Sequence, residues 1–276
     1  PIFVAEEKGY FTSQNVKVEL MPIASSNQMT DALVRGDIDI GAVSMIPVLN
    51  AEAVDPGKVK LTFASDMNDD APFDRLVTKE STGIETTTST KLKKIAVFPG
   101  TTATSFLKEY LKRQSVDVTK IEFVQMPPQN QLSALESGAV DAAYMFEPGL
   151  TIALAKEGFK PLTKSVFGAI YARSPIGGFG ISSKFTEEHP ALAQKTMKAI
   201  QSGITFESTN VDETRSIIAK RFNLPADVTA KMSVLQFKRF DELPPTFLSG
   251  FVDVLVGMGE LKMKPDVSKV IYQIER

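Results

Sequence analysis

The chain has 276 residues, 43% hydrophobic and 23% charged, enough to bury a core and, at roughly 150 residues per domain, to build up to two domains. Lys and Arg number 31 against 33 Asp and Glu, a formal charge of -2, so the chain as a whole carries no electrostatic footprint for nucleic acid or an anionic membrane. With no Cys and one His it excludes disulfides, thiolate nucleophiles, Cys or His zinc clusters and thiol-anchored cofactors.

The apolar stretches are strand-sized, as at Ile95-Ala96-Val97-Phe98, far short of the ~20 residues of a membrane-spanning helix. The chain opens at Pro1-Ile2-Phe3 without initiator Met, signal peptide or lipidation Cys, so any targeting segment is expected to lie outside it. A helix is predicted over 2–9, stopped by Gly9 as a left-handed cap, after which Val16 to Leu20 alternates as a strand. Helix 27–35 ends at Gly36, and Ile38 to Val43 reads as a buried strand running into Ser44, with a helix starting near Pro47. Val59 to Ala64 is a further strand. Residues 79–91 are polar without an apolar period and read as a connection and a domain boundary. A second series follows: strand 94–98, the turn Pro99-Gly100-Thr101-Thr102, helix 103–114, strand 121–126, helix 129–137, strand 140–145 and helix 148–157. Beyond residue 175 the pattern turns helical, over 191–208, 212–222, 226–236 and 245–258. Strands and helices alternating at such short intervals indicate an α/β fold.

An internal repeat organises this pattern. Ala32-Leu33-Val34-Arg35-Gly36-Asp37-Ile38-Asp39 shares its Ala, Leu, Gly and Asp with Ala134-Leu135-Glu136-Ser137-Gly138-Ala139-Val140-Asp141, 102 residues on. Each copy is a helix, a glycine stop and a strand that soon reaches a proline, Pro47 or Pro148. One copy alone would be no more than a capped helix entering a strand; two in matching order indicate two similar lobes with equivalent strand-to-helix corners.

The repeat, together with Pro1 to Phe11, Pro99 to Thr102, Phe146-Glu147-Pro148 and Gly178-Phe179-Gly180-Ile181-Ser182-Ser183, resembles the substrate-binding proteins of bacterial ABC importers. The resemblance is to the nitrate, sulfonate and taurine branch, NMT1/THI5-like, and covers nearly the whole chain. It implies a two-lobed, type II periplasmic-binding-protein-like α/β fold: two mixed sheets flanked by helices, a cleft, two hinge crossings and closure around ligand. On that reading residues 1–90 and 176–276 form an outer lobe and 91–175 an inner one, Pro175 and Gly177-Gly178 suit a bend at the second crossing, and the family's first strand is expected to precede Pro1.

Open α/β sheets bind ligands beyond the carboxyl ends of their strands, where helix N-termini present unpaired N–H groups. That rule selects Ser26 and Asn27, Ser44, Met67 in Ser65-Asp66-Met67-Asn68, Thr101, Thr102 and Thr104, Gln129, and Phe146 with Glu147. Tyr171 and Phe179 lie on the return segment, where aromatics line a cleft or simply pack. Small hydroxyl and amide groups dominate, suited to an anionic head beside a helix N-terminus. Each residue also has a bland role: Thr101 to Thr104, Ser26 and Ser44 as helix caps, Phe146 as core, Glu147 as a match to a helix dipole, and Asp66, whose nearest basic residue in sequence is Arg75, as a surface or hinge residue. Pro99 to Thr102 lacks the glycine span and Lys-Ser/Thr of a phosphate loop. His189 reads as a surface helix entry and Lys91 to Lys94 as a solvated turn.

These features favour a non-catalytic receptor for a small, sulfonate-like organic anion, using no cofactor or metal. Its expected partners are the ligand and ABC permease subunits, not nucleic acid, and it is expected to be a monomer. The resemblance places it in the periplasm or anchored outside the cytoplasmic membrane. The alternatives are a binder of thiamine-pyrimidine precursors and, behind it, an enzyme on the same scaffold. Thiamine-pyrimidine synthases, which share the resemblance, carry a Cys-rich segment and an active-site His that this chain lacks. A transcription-factor effector domain would need a helix-turn-helix that is not present in the sequence.

Overall fold

The computed structural model describes residues 1–70 and 72–275. In chain order the elements are α1 (Ile2–Glu7), α2 (Tyr10–Ser13), α3 (Ser26–Arg35), β1 (Ile40–Ser44), α4 (Met45–Val54), β2 (Val59–Ser65), β3 (Asp74–Lys79) and β4 (Lys94–Val97). There follow α5 (Thr101–Arg113), β5 (Glu122–Gln125), α6 (Pro128–Ser137), β6 (Ala142–Phe146), α7 (Gly149–Leu154), β7 (Phe159–Pro161), α8 (Val166–Ile170) and β8 (Gly177–Ser182). The last are α9 (Ser183–Glu188), α10 (Pro190–Thr209), α11 (Val211–Phe222), α12 (Ala226–Thr229), β9 (Phe237–Arg239) and α13 (Pro245–Gly257).

Two compact units result. The first comprises Pro1–Asp66, Pro175–Leu224 and Gln236–Arg276, the second Met67–Ser174 and Pro225–Leu235. The boundary at residue 90 is corrected to 66/67, because β3, which precedes it, pairs with β6 and β7 inside the second unit. The return falls at 174/175. A further excursion, 225–235, joins the second unit, so the chain passes between units at four places rather than two. Gly177 and Gly178 lie within β8 instead of forming a bend.

The first unit carries a sheet of order β1-β8-β2-β9. β8 runs antiparallel to both neighbours, so β1 and β2 share a direction and their ends, Ser44 and Ser65, reach one edge. β8 holds three glycines, and a Cβ on Gly178 would stand 2.0 Å from the Phe63 carbonyl oxygen, so only glycine fits against β2 there. Phe63, Phe179 and Ile181 from the sheet pack with Met197, Ile200 and Ile204 of α10 and with Ile274 to form the core. Val16 to Leu20 is not a strand; it pairs with no strand among the described residues. The predicted helix 226–236 shortens to α12, because Pro225 starts it and the chain extends again toward β9.

The second unit carries a sheet of order β5-β4-β6-β3-β7, with β5, β4 and β6 mutually parallel and β3 and β7 antiparallel. Val97, Gln125 and Phe146 therefore end their strands on the same edge. Ala96, Val77, Ala143 and Met145 pack with Leu135, Leu150 and Ala153 of the flanking helices. Both copies of the repeat fold alike: Gly36 and Gly138 each take φ 74° and each donates its N–H to the helix behind it, and β1 and β6 lead into α4 and α7. Asp141, the last residue of the second copy, accepts the Lys93 and Lys94 N–H groups, both at 2.8 Å, and so anchors the start of β4.

Candidate functional site

The second unit holds the most suggestive group of side chains. Beyond β4 the chain turns through Pro99 and Gly100, whose φ of 111° and ψ of 179° only glycine adopts readily, into α5. The N-cap of this 13-residue helix is Gly100, which has no side chain to cap it. Thr101 is exposed, but Thr102 is only 5% exposed and Thr104 half-buried, and the hydroxyl oxygens of both are shielded from water with no hydrogen-bond partner among the described residues. The cap reading of Thr102 and Thr104 therefore fails, and what stands in its place is a first turn with two buried, unanswered hydroxyls. Leaving such a group unpaired costs about 1–3 kcal/mol, which an acceptor on a bound ligand would recover.

A third orphan lies at the start of α6. Gln129 is exposed, whereas Gln131 is 1% exposed and its Nε2 has no partner among the described residues. Helical phase decides between them: two residues apart, they lie on different sides of α6. The sequence contained the signal in that period.

Aromatic rings line the same strand edge. Phe98 and Phe146, both half-buried, meet edge to face at 5.9 Å, and Phe146 also touches Tyr144 at 4.9 Å and Phe167 at 5.8 Å. Behind them sits Asp74, fully buried, accepting from Tyr144 Oη (2.6 Å), Ser165 Oγ (2.6 Å) and the Val166 and Phe167 N–H groups (2.8 and 3.2 Å). Burial pushes its carboxyl above the ordinary range, and these four bonds pull the other way. Burial and the neighbouring Asp74 hold the Tyr144 phenol well above its usual value, so it stays a donor. Asp74 is thus a tie between β3, β6 and the start of α8.

Glu147 is likewise occupied. Its carboxylate accepts from Thr151 N–H (3.0 Å), Thr151 Oγ1 (2.8 Å) and Ser233 N–H (3.3 Å), joining α7 to the 225–235 segment. Burial raises its carboxyl, and the bonds from Thr151 and Ser233 and the charge of Arg75 oppose that rise, while Asp66 pairs with Lys238 at 3.9 Å. Met67 is 6% exposed and bridges Ser174 through backbone bonds; Tyr171 follows α8, half-buried.

In the first unit the cap of α3 is Ser25, whose Oγ accepts from Gln28 N–H at 3.3 Å, which places Ser26 and the exposed Asn27 in the helix's first turn. Ser44 precedes α4 without making a side-chain cap. Ser65, at the end of β2 in the stretch that contains Met67, is 1% exposed and accepts the Gly177 N–H at 3.1 Å. An open cavity of about 270 Å³ lined by Lys79, Thr82, Lys91 and Asp141 lies at the other end of β6 from Phe146, away from these groups. Among the described residues no cluster of three His, Cys, Asp or Glu is placed to hold a metal, and His189 is exposed at the head of α10.

Comparison with known proteins agrees with this architecture. The family model described as NMT1/THI5 like matches residues 1–213, more than half of the chain. The chain belongs to the NMT1/THI5-like family. A putative aliphatic sulfonates-binding protein of Bacillus subtilis is 27% identical to this family member over 220 residues, 77% of the chain. The chain spans 64% of that relative's length. The periplasmic aliphatic sulphonate binding protein of Escherichia coli has the same fold, with a TM-score of 0.76 at 19% identity over 100% of this chain and 89% of its own. So does the alkanesulfonate-binding protein of Xanthomonas axonopodis pv. citri bound to MOPS, with a TM-score of 0.79 at 17% identity over 98% and 93%.

Proposed function

We propose that the chain is a non-catalytic receptor that binds a small, sulfonate-like organic anion outside the cytoplasm and passes it to the membrane subunits of an ABC importer. The observation that carries this reading is the start of α5, a helix N-terminus entered through Gly100, with two threonine hydroxyls shielded from water and unpartnered among the described residues. Helix N–H groups and hydroxyls are neutral donors. They suit an anion whose charge is spread over several oxygens and does not depend on pH, as a sulfonate's is. Gln131 adds a buried amide donor in the same unit. The relatives named as sulfonate-binding proteins support the ligand class, and the absence of Cys supports binding over thiol chemistry.

A second ligand class is favoured by one feature. The half-buried Phe98–Phe146 pair offers an apolar, aromatic wall on the same strand edge, suited to an aryl or pyrimidine body. Thermal unfolding with alkanesulfonates, arylsulfonates, nitrate and thiamine pyrimidines separates the two. A true ligand at 100 times its Kd adds about 2.7 kcal/mol. T102A/T104A is expected to weaken a sulfonate by about 1–3 kcal/mol while leaving the unliganded protein folded, because it removes orphan groups. A well-folded protein silent across the panel overturns the receptor reading; unchanged affinity in the double variant removes α5 from the site.

A further inference from the structure

The backbone ladder between β4 and β5 ends at Val97 opposite Gln125, with a last rung from Met126 N–H to the Val97 carbonyl at 3.1 Å. It cannot continue through Pro99, which has no N–H to give. The Gln125 side chain takes over instead. Its Oε1 accepts the Gly100 N–H at 3.3 Å and its Nε2 donates to the Gly100 carbonyl at 3.2 Å, so one amide holds both polar groups of the residue that precedes α5.

Glycine is the residue least able to hold its own orientation, and Gly100 sits at φ 111° in a region it enters freely but does not prefer. Its peptide plane therefore has to be set from outside. Because a trans peptide is planar, its C=O and the next N–H point in opposite directions, and fixing the Gly100 carbonyl toward Gln125 turns the Thr101 N–H away from it. The same clamp consumes the Gly100 N–H. Immediately beyond stands the Thr102 hydroxyl, buried and unpartnered.

We propose that Gln125 is a positioning residue for anion recognition: by clamping Gly100 it sets the first turn of α5, where the buried Thr102 hydroxyl stands unpartnered, for the anionic head. The inference rests on the receptor reading above and deepens it. Gln125 itself is exposed at the end of an edge strand and touches the ligand in no part of the argument.

The test uses ethanesulfonate as probe, titrated calorimetrically into wild type, Q125A and Q125E at pH 7 and pH 4, with amide exchange over 101–104 measured without ligand. Q125A is expected to bind about tenfold more weakly, the scale of one lost neutral hydrogen bond pair, and to exchange its first-turn amides faster while the rest of α5 is unchanged. Q125E separates positioning from general damage. Ionised at pH 7, it accepts from Gly100 but cannot donate, and it places a negative charge near the anion. Protonated below its ordinary value of about 4.3, it regains a donor and an acceptor, whereas the sulfonate stays charged. Its affinity at pH 4 is therefore expected to rise past that of Q125A toward wild type at the same pH. Q125A within twofold of wild type, or Q125E at pH 4 binding no better than Q125A, overturns the proposal. Wild type failing to bind ethanesulfonate at all is a different failure, visible before any variant is compared, and it overturns the receptor reading together with the inference built on it.

Discussion

Asp74 shows how little of a single residue's role local sequence encodes. Its four donors come from positions 70 to 93 residues away, so nothing near Asp74 in the chain distinguishes it from a surface carboxylate. Because burial raises its carboxyl, the folded state binds its proton more tightly than the unfolded chain does. Stability from this group is fully present below the ordinary aspartate value, about 3.9, and is lost as pH rises through the raised folded value. Stability of wild type minus that of D74N is accordingly expected to fall over that window and to level off above it, in denaturant melts from pH 3.5 to 8. A difference that rises with pH would mean that the hydrogen bonds outweigh desolvation. The threonines of α5 were legible by contrast, since the end of a strand, a glycine and a run of hydroxyls are all local. What the sequence could not supply was which hydroxyls are buried and unanswered, or that Gln131 rather than Gln129 is the buried amide.

At the scale of elements, helices were read more reliably than strands. α3, α5, α6, α10 and α11 follow from apolar period and glycine stops, because a helix closes its hydrogen bonds within itself. A strand needs a partner supplied from elsewhere in the chain. Val16 to Leu20 alternates as a strand should and pairs with none among the described residues, whereas β8, with three glycines in six residues, has weak strand propensity and lies at the centre of its sheet. Its glycines are there for proximity. G178A places a methyl carbon 2.0 Å from the Phe63 carbonyl oxygen, a backbone atom that cannot rotate away, and is expected to cost about 3 kcal/mol or to abolish folding, measured by urea denaturation. A variant within 0.5 kcal/mol of wild type would mean that β2 and β8 separate easily, which their shared ladder argues against.

At the scale of the molecule, the tail of the chain completes the first unit. Leu61 N–H donates to the Val270 carbonyl, Tyr272 N–H returns to the Leu61 carbonyl at 2.9 Å, and Arg239 bonds the Ile274 carbonyl at 2.6 Å. Val270 and Ile274 are buried, at 0% and 4% exposure. Ending the chain at Lys269 is expected to cost about 3 kcal/mol or more, from the apolar surface of those two side chains alone, seen as a lower midpoint in thermal melts. An unchanged midpoint would show that the tail only decorates the sheet. The sequence by itself determined the α/β class, the paired repeat, the family resemblance and the helix starts where hydroxyl and amide groups gather, because each rests on periods and stops a few residues long. Only the tertiary structure decided where one unit ends and the next begins, which strands pair, and which polar atoms are buried without a partner. Those depend on contacts between residues far apart in the chain, and no local pattern records them.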